Sequence, residues 1–158
     1  MSAPVTDALQ PVPRLDRWLL RHGQELHAKA VSDVEATEAL HEVVGRNAMI
    51  SESQLYGLYN TAQANQVSAL LEFVRERAKR RRKVDKDKEA DFWEALSDKL
   101  KALGQEEAAR AAEAVRAGSG DASSEEEDVE ERARLLVTRA YVSHLVAHCR
   151  YLNGRSAS

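Results

Sequence analysis

The fold is decided by residues 51–83, which read SESQLYGLYNTAQANQVSALLEFVRERAKRRRK. This stretch opens with a capping box, because the Ser51 hydroxyl can accept from the Gln54 amide while the Gln54 side chain reaches back. Apolar residues then recur every three or four positions, the period of a helix with one buried face. We therefore predict one long helix over 51–83. Its apolar stripe consists of Leu55, Leu58, Tyr59, Ala62, Leu70, Leu71, Val74 and Ala78.

The segments on both sides have the same helical period. Before this helix we predict helices over 14–30 and 33–45, and after it over 87–103, 105–117 and 128–152. Aromatic residues are only 5% of the 158-residue chain, with seven Gly and three Pro, which disfavours a β-sandwich or barrel. The predicted fold is an all-α bundle of five or six helices with one long central helix.

The predicted organisation is one bundle with two irregular stretches. Residues 1–13 contain three prolines and are predicted to be a disordered lead-in to the bundle of 14–117. Residues 118–128 are rich in Gly, Ser and acids and are predicted to be a flexible acidic linker that buries little surface. Residues 129–154 then add the final helix of the same bundle, and 155–158 form a tail.

The composition also bears on where the protein works. No run approaches the roughly 18 apolar residues of a membrane span, and the first residues lack a signal-peptide pattern. A single cysteine, Cys149, excludes an internal disulfide framework and a cysteine-based zinc finger. We therefore expect a cytoplasmic protein without a membrane partner.

The positive charge is concentrated in residues 75–88, which we call the basic segment. It holds nine basic and three acidic residues, a local net charge of +6 in a chain whose total is −3. The basic side chains repel one another, and contacts with phosphates would offset this repulsion and release counterions. The alternative is a solvated helix end, paired with the acidic stretch 121–131. The predicted RNA contacts are Arg75, Arg77, Lys79, Arg80, Arg81, Arg82 and Lys83, with Arg150 on the last helix.

Enzymatic signals are weak. Arg139 and His144 have the Arg-x4-His spacing of HEPN-type ribonucleases, but Ala140 stands where that family usually has a polar residue. Arg17 with His22 and Arg21 with His27 have similar spacings, so the spacing of Arg139 and His144 by itself carries little weight. His144 and His148 are four residues apart on one helix, yet no third metal ligand accompanies them. Phosphate loops and nucleophile elbows are absent, so we predict no catalytic residue, metal or cofactor.

Two segments resemble the small subunit of type III CRISPR effector complexes, the Csm-type small helical protein. Residues 49–55, Met-Ile-Ser-Glu-Ser-Gln-Leu, resemble the family's helix opening of a hydrophobic residue, Thr or Ser, any residue, Ser-Gln and Ile or Leu. Residues 145–154 resemble its closing pattern, with Val-Ala, a base, an aromatic residue and Gly at matching spacing. The chain departs from the family at Tyr56, where Arg is usual, at the pair His148-Cys149, and in its acidic linker.

This resemblance implies a non-catalytic protein of antiviral defence. Several copies would line the filament of a CRISPR ribonucleoprotein and contact the backbones of crRNA and target RNA. The implied partners are these RNAs, other CRISPR effector subunits and further copies of the chain. The aromatic residues fall on the apolar stripes, which favours core packing over base stacking. A HEPN-like ribonuclease or toxin and a generic helical protein-interaction module remain the alternatives.

Overall fold

Helices make up 89% of the described residues, and no strand occurs among them. The structure is a computed structural model that describes residues 13–45, 49–63, 66–117 and 126–157. The predicted all-α bundle is therefore confirmed. The helices are α1 (Pro13–Ala36), α2 (Glu38–His41), α3 (Glu52–Ala62), α4 (Val67–Lys83), α5 (Asp87–Gln105), α6 (Glu107–Ala117) and α7 (Glu126–Ala157).

The capping box that opens α3 forms as the sequence predicts. The Gln54 backbone N–H donates to Ser51 Oγ at 3.2 Å, and the Ser51 N–H donates to Gln54 Oε1 at 2.8 Å. Ile50 and Leu55, on either side of the cap, are both fully buried in the core. Ile50 and Leu55 occupy the N′ and N4 positions of a hydrophobic staple, an arrangement that fixes the direction in which a chain enters its helix.

The prediction of one long helix over 51–83 is wrong, because the chain leaves the helix between α3 and α4. The Arg139 side chain, from α7, donates to the carbonyl oxygens of Ala62 and Gln63, each at 3.3 Å. It thereby satisfies acceptors that a continuing helix would have used. Gln66 is extended (φ −138°, ψ 127°) and precedes α4 as its N-cap. The long helix is instead α7, at 32 residues, or about 48 Å.

Several other boundaries differ from the prediction. α1 continues to Ala36, so the second predicted helix is reduced to the single turn of α2. α7 begins at Glu126, within the predicted linker, and passes through Asn153 and Gly154 instead of ending there. Acidic sequence is favourable at a helix N-terminus, which suits the earlier start. The rest of the predicted linker, 118–125, and residues 1–12 of the predicted lead-in lie outside the described residues.

The core forms where α7 packs along α1, α3 and α6, while α4 packs mainly on α5. Its largest fully buried side chains are Trp93, Tyr141 and Phe92. A polar cluster also joins three helices. The Tyr141 hydroxyl donates to Asp33 Oδ2 at 2.6 Å, and the same carboxylate pairs with Lys29 and Lys99 at 3.8 and 3.5 Å. The hydroxyl and the two ammonium groups offset the cost of largely burying this carboxylate.

The turn that follows the basic helix α4 is a Schellman motif. The Lys86 N–H donates to the Arg81 carbonyl at 2.9 Å and the Asp85 N–H to the Arg82 carbonyl at 3.2 Å. Asp85 occupies the left-handed position, with φ 61°, where Gly is the usual residue. The turn reverses the chain, so that α5 packs back against α4.

Candidate nucleic-acid interface

The basic segment lies on α4, on the turn that follows it and on the first residues of α5. Leu70, Val74 and Ala78 form the buried stripe of α4. Arg75, Lys79, Arg80, Arg82 and Lys83 are exposed, and Arg77 and Arg81 are half-buried. The seven predicted contacts on this helix therefore differ in environment, although they are close in sequence.

Arg82 is held by the acidic face of α5. Its guanidinium lies 2.8 Å from Glu94 Oε2, 3.0 Å from Asp91 Oδ1 and 3.5 Å from Asp87 Oδ1. The hydrogen bonds to Glu94 and then to Asp91 raise the pKa of Arg82 above its ordinary value. This side chain connects α4 to α5, and its charge is already matched within the protein.

Arg81 also turns toward α5. Its Nε lies 3.7 Å from Glu89 Oε1, and the Arg81 side chain is only 24% exposed. Arg81 is one of the predicted RNA contacts, and the structure places it against α5. The physical reason is the fold, which places acids of α5 beside this face of α4.

Arg77 lies one helical turn before Arg81 on α4. Its guanidinium carbon is 5.3 Å from the centre of the Phe73 ring, a cation–π contact. Burial lowers the pKa of Arg77, and the neighbouring charges of Arg81 and Arg80 lower it further. Phe73 packs edge-on against Trp93 at 6.1 Å, so Arg77 covers an edge of the core.

Arg75, Lys79 and Lys83 line a groove of about 710 Å³ between α4 and α5, whereas Arg80 does not. Its floor includes Ala78 and Ser97, and Ser97 is only 5% exposed. The acids on its walls are Glu94, which is paired with Arg82, and Asp98. Five basic residues against two acids leave the lining at a net +3. The basic residues of the lining are Arg75, Lys79, Arg82, Lys83 and Lys101.

Three of these cations have no acidic partner among the described residues, namely Arg75, Lys83 and Lys101. Lys79 has only a long contact of 3.9 Å with Glu76, and both side chains are at least half exposed. Sequence reasoning missed Lys101, because it lies outside the basic segment. Its spacing from Glu94 and Asp98, at seven and three residues, was the one available sign that it shares their face of α5.

Arg150 lies apart from the groove. It is exposed on α7, and its Nε donates to Glu52 Oε1 of α3 at 2.7 Å. Asn153, one turn further on, donates to the Ile50 carbonyl at 3.2 Å and accepts from the Gly45 N–H at 2.7 Å. Segments 49–55 and 145–154, which carry the family resemblance, thus pack against each other.

Three histidines, His27, His144 and His148, form contacts between α1 and α7. His27 Nδ1 and His144 Nδ1 are 3.2 Å apart, and burial followed by the His27 charge lowers the pKa of His144. His148 instead pairs with Glu35 at 2.7 Å, so the two histidines of the i, i+4 pair have different partners. Within the described ranges, no three His, Cys, Asp or Glu side chains come together as a possible metal site.

The expectation that the aromatic residues pack in the core is only partly correct. Phe92, Trp93 and Tyr141 are fully buried, whereas Tyr56 and Tyr151 are 59% and 57% exposed. Tyr59 is also exposed. None of these three tyrosines lines the groove between α4 and α5.

No helix in the described part of the chain is both long and apolar enough to cross a bilayer. Comparisons with protein-family models, with curated proteins and with solved structures gave no match.

Proposed function

We propose that this chain is a non-catalytic RNA-binding subunit of a ribonucleoprotein and that it contacts RNA phosphates through the basic segment. The groove between α4 and α5 carries the proposal, because its lining has a net charge of +3 in a chain whose total is −3. Phosphates would offset the repulsion between these cations and release condensed counterions on binding. Such contacts carry no base identity, so binding is independent of RNA sequence.

Direct binding tests this part of the proposal. Fluorescence anisotropy with two labelled RNAs of unrelated sequence should give similar dissociation constants for the full chain. The logarithm of the binding constant should fall linearly with the logarithm of salt concentration, by about 0.7 for each contacted phosphate of a single strand. No binding at low salt, or strong preference for one sequence, would contradict the proposal.

The ribonucleoprotein that we propose is a type III CRISPR effector complex in the cytoplasm. The proposal is supported by the contact between the segments of the family resemblance, which meet through Asn153 and Ile50, 103 residues apart in the chain. The two similarities therefore lie in one structural unit of the chain. The partners are then crRNA, target RNA, other CRISPR effector subunits and further copies of this chain.

Sequencing the RNA that copurifies with the tagged chain from its native cells tests the CRISPR assignment. We expect RNA with repeat and spacer sequences, together with larger CRISPR subunits. Copurified RNA without repeats would refute the CRISPR assignment and leave phosphate binding standing.

A ribonuclease is the second candidate, and one observation favours it. His27 and His144 are in contact at 3.2 Å, and each ends an Arg-to-His spacing of four or five intervening residues. Against it, the Arg139 guanidinium binds the carbonyl oxygens that end α3. Incubation of labelled RNA with the purified chain should give no cleavage. Cleavage that disappears in both His27→Ala and His144→Ala would favour the ribonuclease.

A further inference from the structure

The cations of the groove form a regular row. Arg75, Lys79 and Lys83 are spaced by four residues on α4, and all three line the groove. Four residues of helix rise by about 6 Å, close to the separation of successive phosphates along a nucleic-acid strand. Lys101 faces the row from α5, so cations flank the groove on both sides.

We infer that this groove seats consecutive phosphates of one RNA strand on Arg75, Lys79 and Lys83 from α4 and on Lys101 from α5. The inference rests on the proposed function and adds to it a division of the basic segment. Arg75, Lys79, Lys83 and Lys101 contact phosphate, whereas Arg82 holds α4 against α5 through Asp91 and Glu94. Arg80, Lys86 and Lys88 lie outside the groove and make no phosphate contact in this division.

The groove accepts the backbone with the bases outside. Its floor contains the small residues Ala78 and Ser97 and no aromatic ring on which a base could stack. Because α4 and α5 are packed together, the groove is a crevice of about 710 Å³ on their surface, which can take up part of one strand but not a whole duplex. Because the bases stay outside, pairing with a second strand does not interfere, and an unpaired strand and one strand of a duplex are held alike.

One acid opposes the ligand in this arrangement. Asp98 lines the groove and has no cationic partner among the described residues, whereas the charge of Glu94 is matched by Arg82. A free carboxylate close to a phosphate weakens binding by like-charge repulsion. Removing the charge of Asp98 should therefore strengthen RNA binding, an effect that loss of a structural contact does not produce.

The main test compares two triple variants of the full chain with the same change in charge. Arg75→Gln/Lys79→Gln/Lys83→Gln removes the groove row, and the control Arg80→Gln/Lys86→Gln/Lys88→Gln removes three exposed cations that do not line the groove. Anisotropy titrations with a labelled RNA, alone and annealed to its complement, are repeated over a salt series. Thermal midpoints establish that both variants fold.

We expect the groove variant to bind about tenfold or more weaker at low salt and to lose about two units of the salt slope. The control should keep most of the wild-type slope. The loss of affinity in the groove variant should be similar for the single strand and the duplex. Equal losses in the two variants would show a diffuse charge effect, which overturns the inference and leaves the proposed function intact. Binding unaffected by either variant would overturn both, and a loss confined to the single strand would show that bases enter the groove.

Two single variants test the α5 side of the groove. Lys101→Gln should weaken binding severalfold, while Lys88→Gln, which makes the same charge change outside the groove, should have a smaller effect. Asp98→Asn should tighten binding, whereas the distant Glu25→Gln on α1 should change it little. Lys101→Gln without effect, or Asp98→Asn with weaker binding, would refute the assignment of phosphates to this groove.

Discussion

At the scale of a single residue, Asp85 decides where α4 ends. It adopts φ 61°, a conformation that costs residues with a Cβ roughly 1–2 kcal/mol, with Asp and Asn among the better tolerated. We expect stability to decrease in the order Asp85→Gly, wild type, Asp85→Ala and Asp85→Val. The alanine variant should lie about 1 kcal/mol below the glycine variant, because the latter relieves the strain.

Chemical denaturation of these variants measures the order. The greater freedom of glycine in the unfolded chain offsets part of its gain, so the glycine–alanine difference is the quantity to compare. An alanine variant as stable as the glycine variant would mean that Asp85 is not left-handed in solution.

At the scale of an element, the break between α3 and α4 can be tested at Gln66. This residue is the N-cap of α4 and has extended dihedral angles, yet its side chain makes no capping hydrogen bond. Asp is a preferred N-cap residue, whereas it is a poor former of a helix interior. Gln66→Asp should therefore stabilise the protein by about 1 kcal/mol if α4 starts here.

Introduction of Asp at Glu72, inside α4, serves as the control. Glu72→Asp keeps the charge and is expected to be neutral or slightly destabilising, because Asp has the lower helix propensity. Destabilisation by Gln66→Asp in urea titrations would indicate one continuous helix over 51–83.

At the scale of the whole molecule, the core should make the fold sensitive to alkali. Burial raises the pKa of Cys149 to about 12. Burial, and then the hydrogen bond to Asp33, raise the pKa of Tyr141. The folded state holds both protons more tightly than the unfolded state, whose groups titrate at about 8.5 for the thiol and about 10 for the phenol. Both groups therefore contribute stability below these values, and it is lost as pH rises above them.

Unfolding free energies measured between about pH 8 and 12 should fall by up to 1.4 kcal/mol per pH unit for each group that titrates, as an order of magnitude. Cys149→Ala should flatten the decrease from about pH 8.5 upward, and Tyr141→Phe the decrease above about pH 10. The slopes are compared because each variant also changes stability at neutral pH. Slopes identical to wild type in both variants would refute the assignment.

The sequence by itself determined the helical class, the start of α3 and the place of the basic segment. Each depends on residues within one or two helical turns. The capping box needs only Ser51 and Gln54, and the buried stripe of α4 follows from the period of Leu70, Val74 and Ala78. The cations of residues 75–83 were therefore found in the sequence as a set.

Only the tertiary structure decided how these cations are divided and where the predicted long helix is interrupted between α3 and α4. Arg139 caps α3 at Gln63 from 76 residues away, and such a contact leaves no local pattern. Arg82 turned out to be matched by Asp91 and Glu94 because the turn at Asp85 folds α5 back onto α4. The same reversal brings Lys101 to the groove. The local spacing of residues specifies which face of a helix is polar, but only the packing of the helices determines which residues that face contacts.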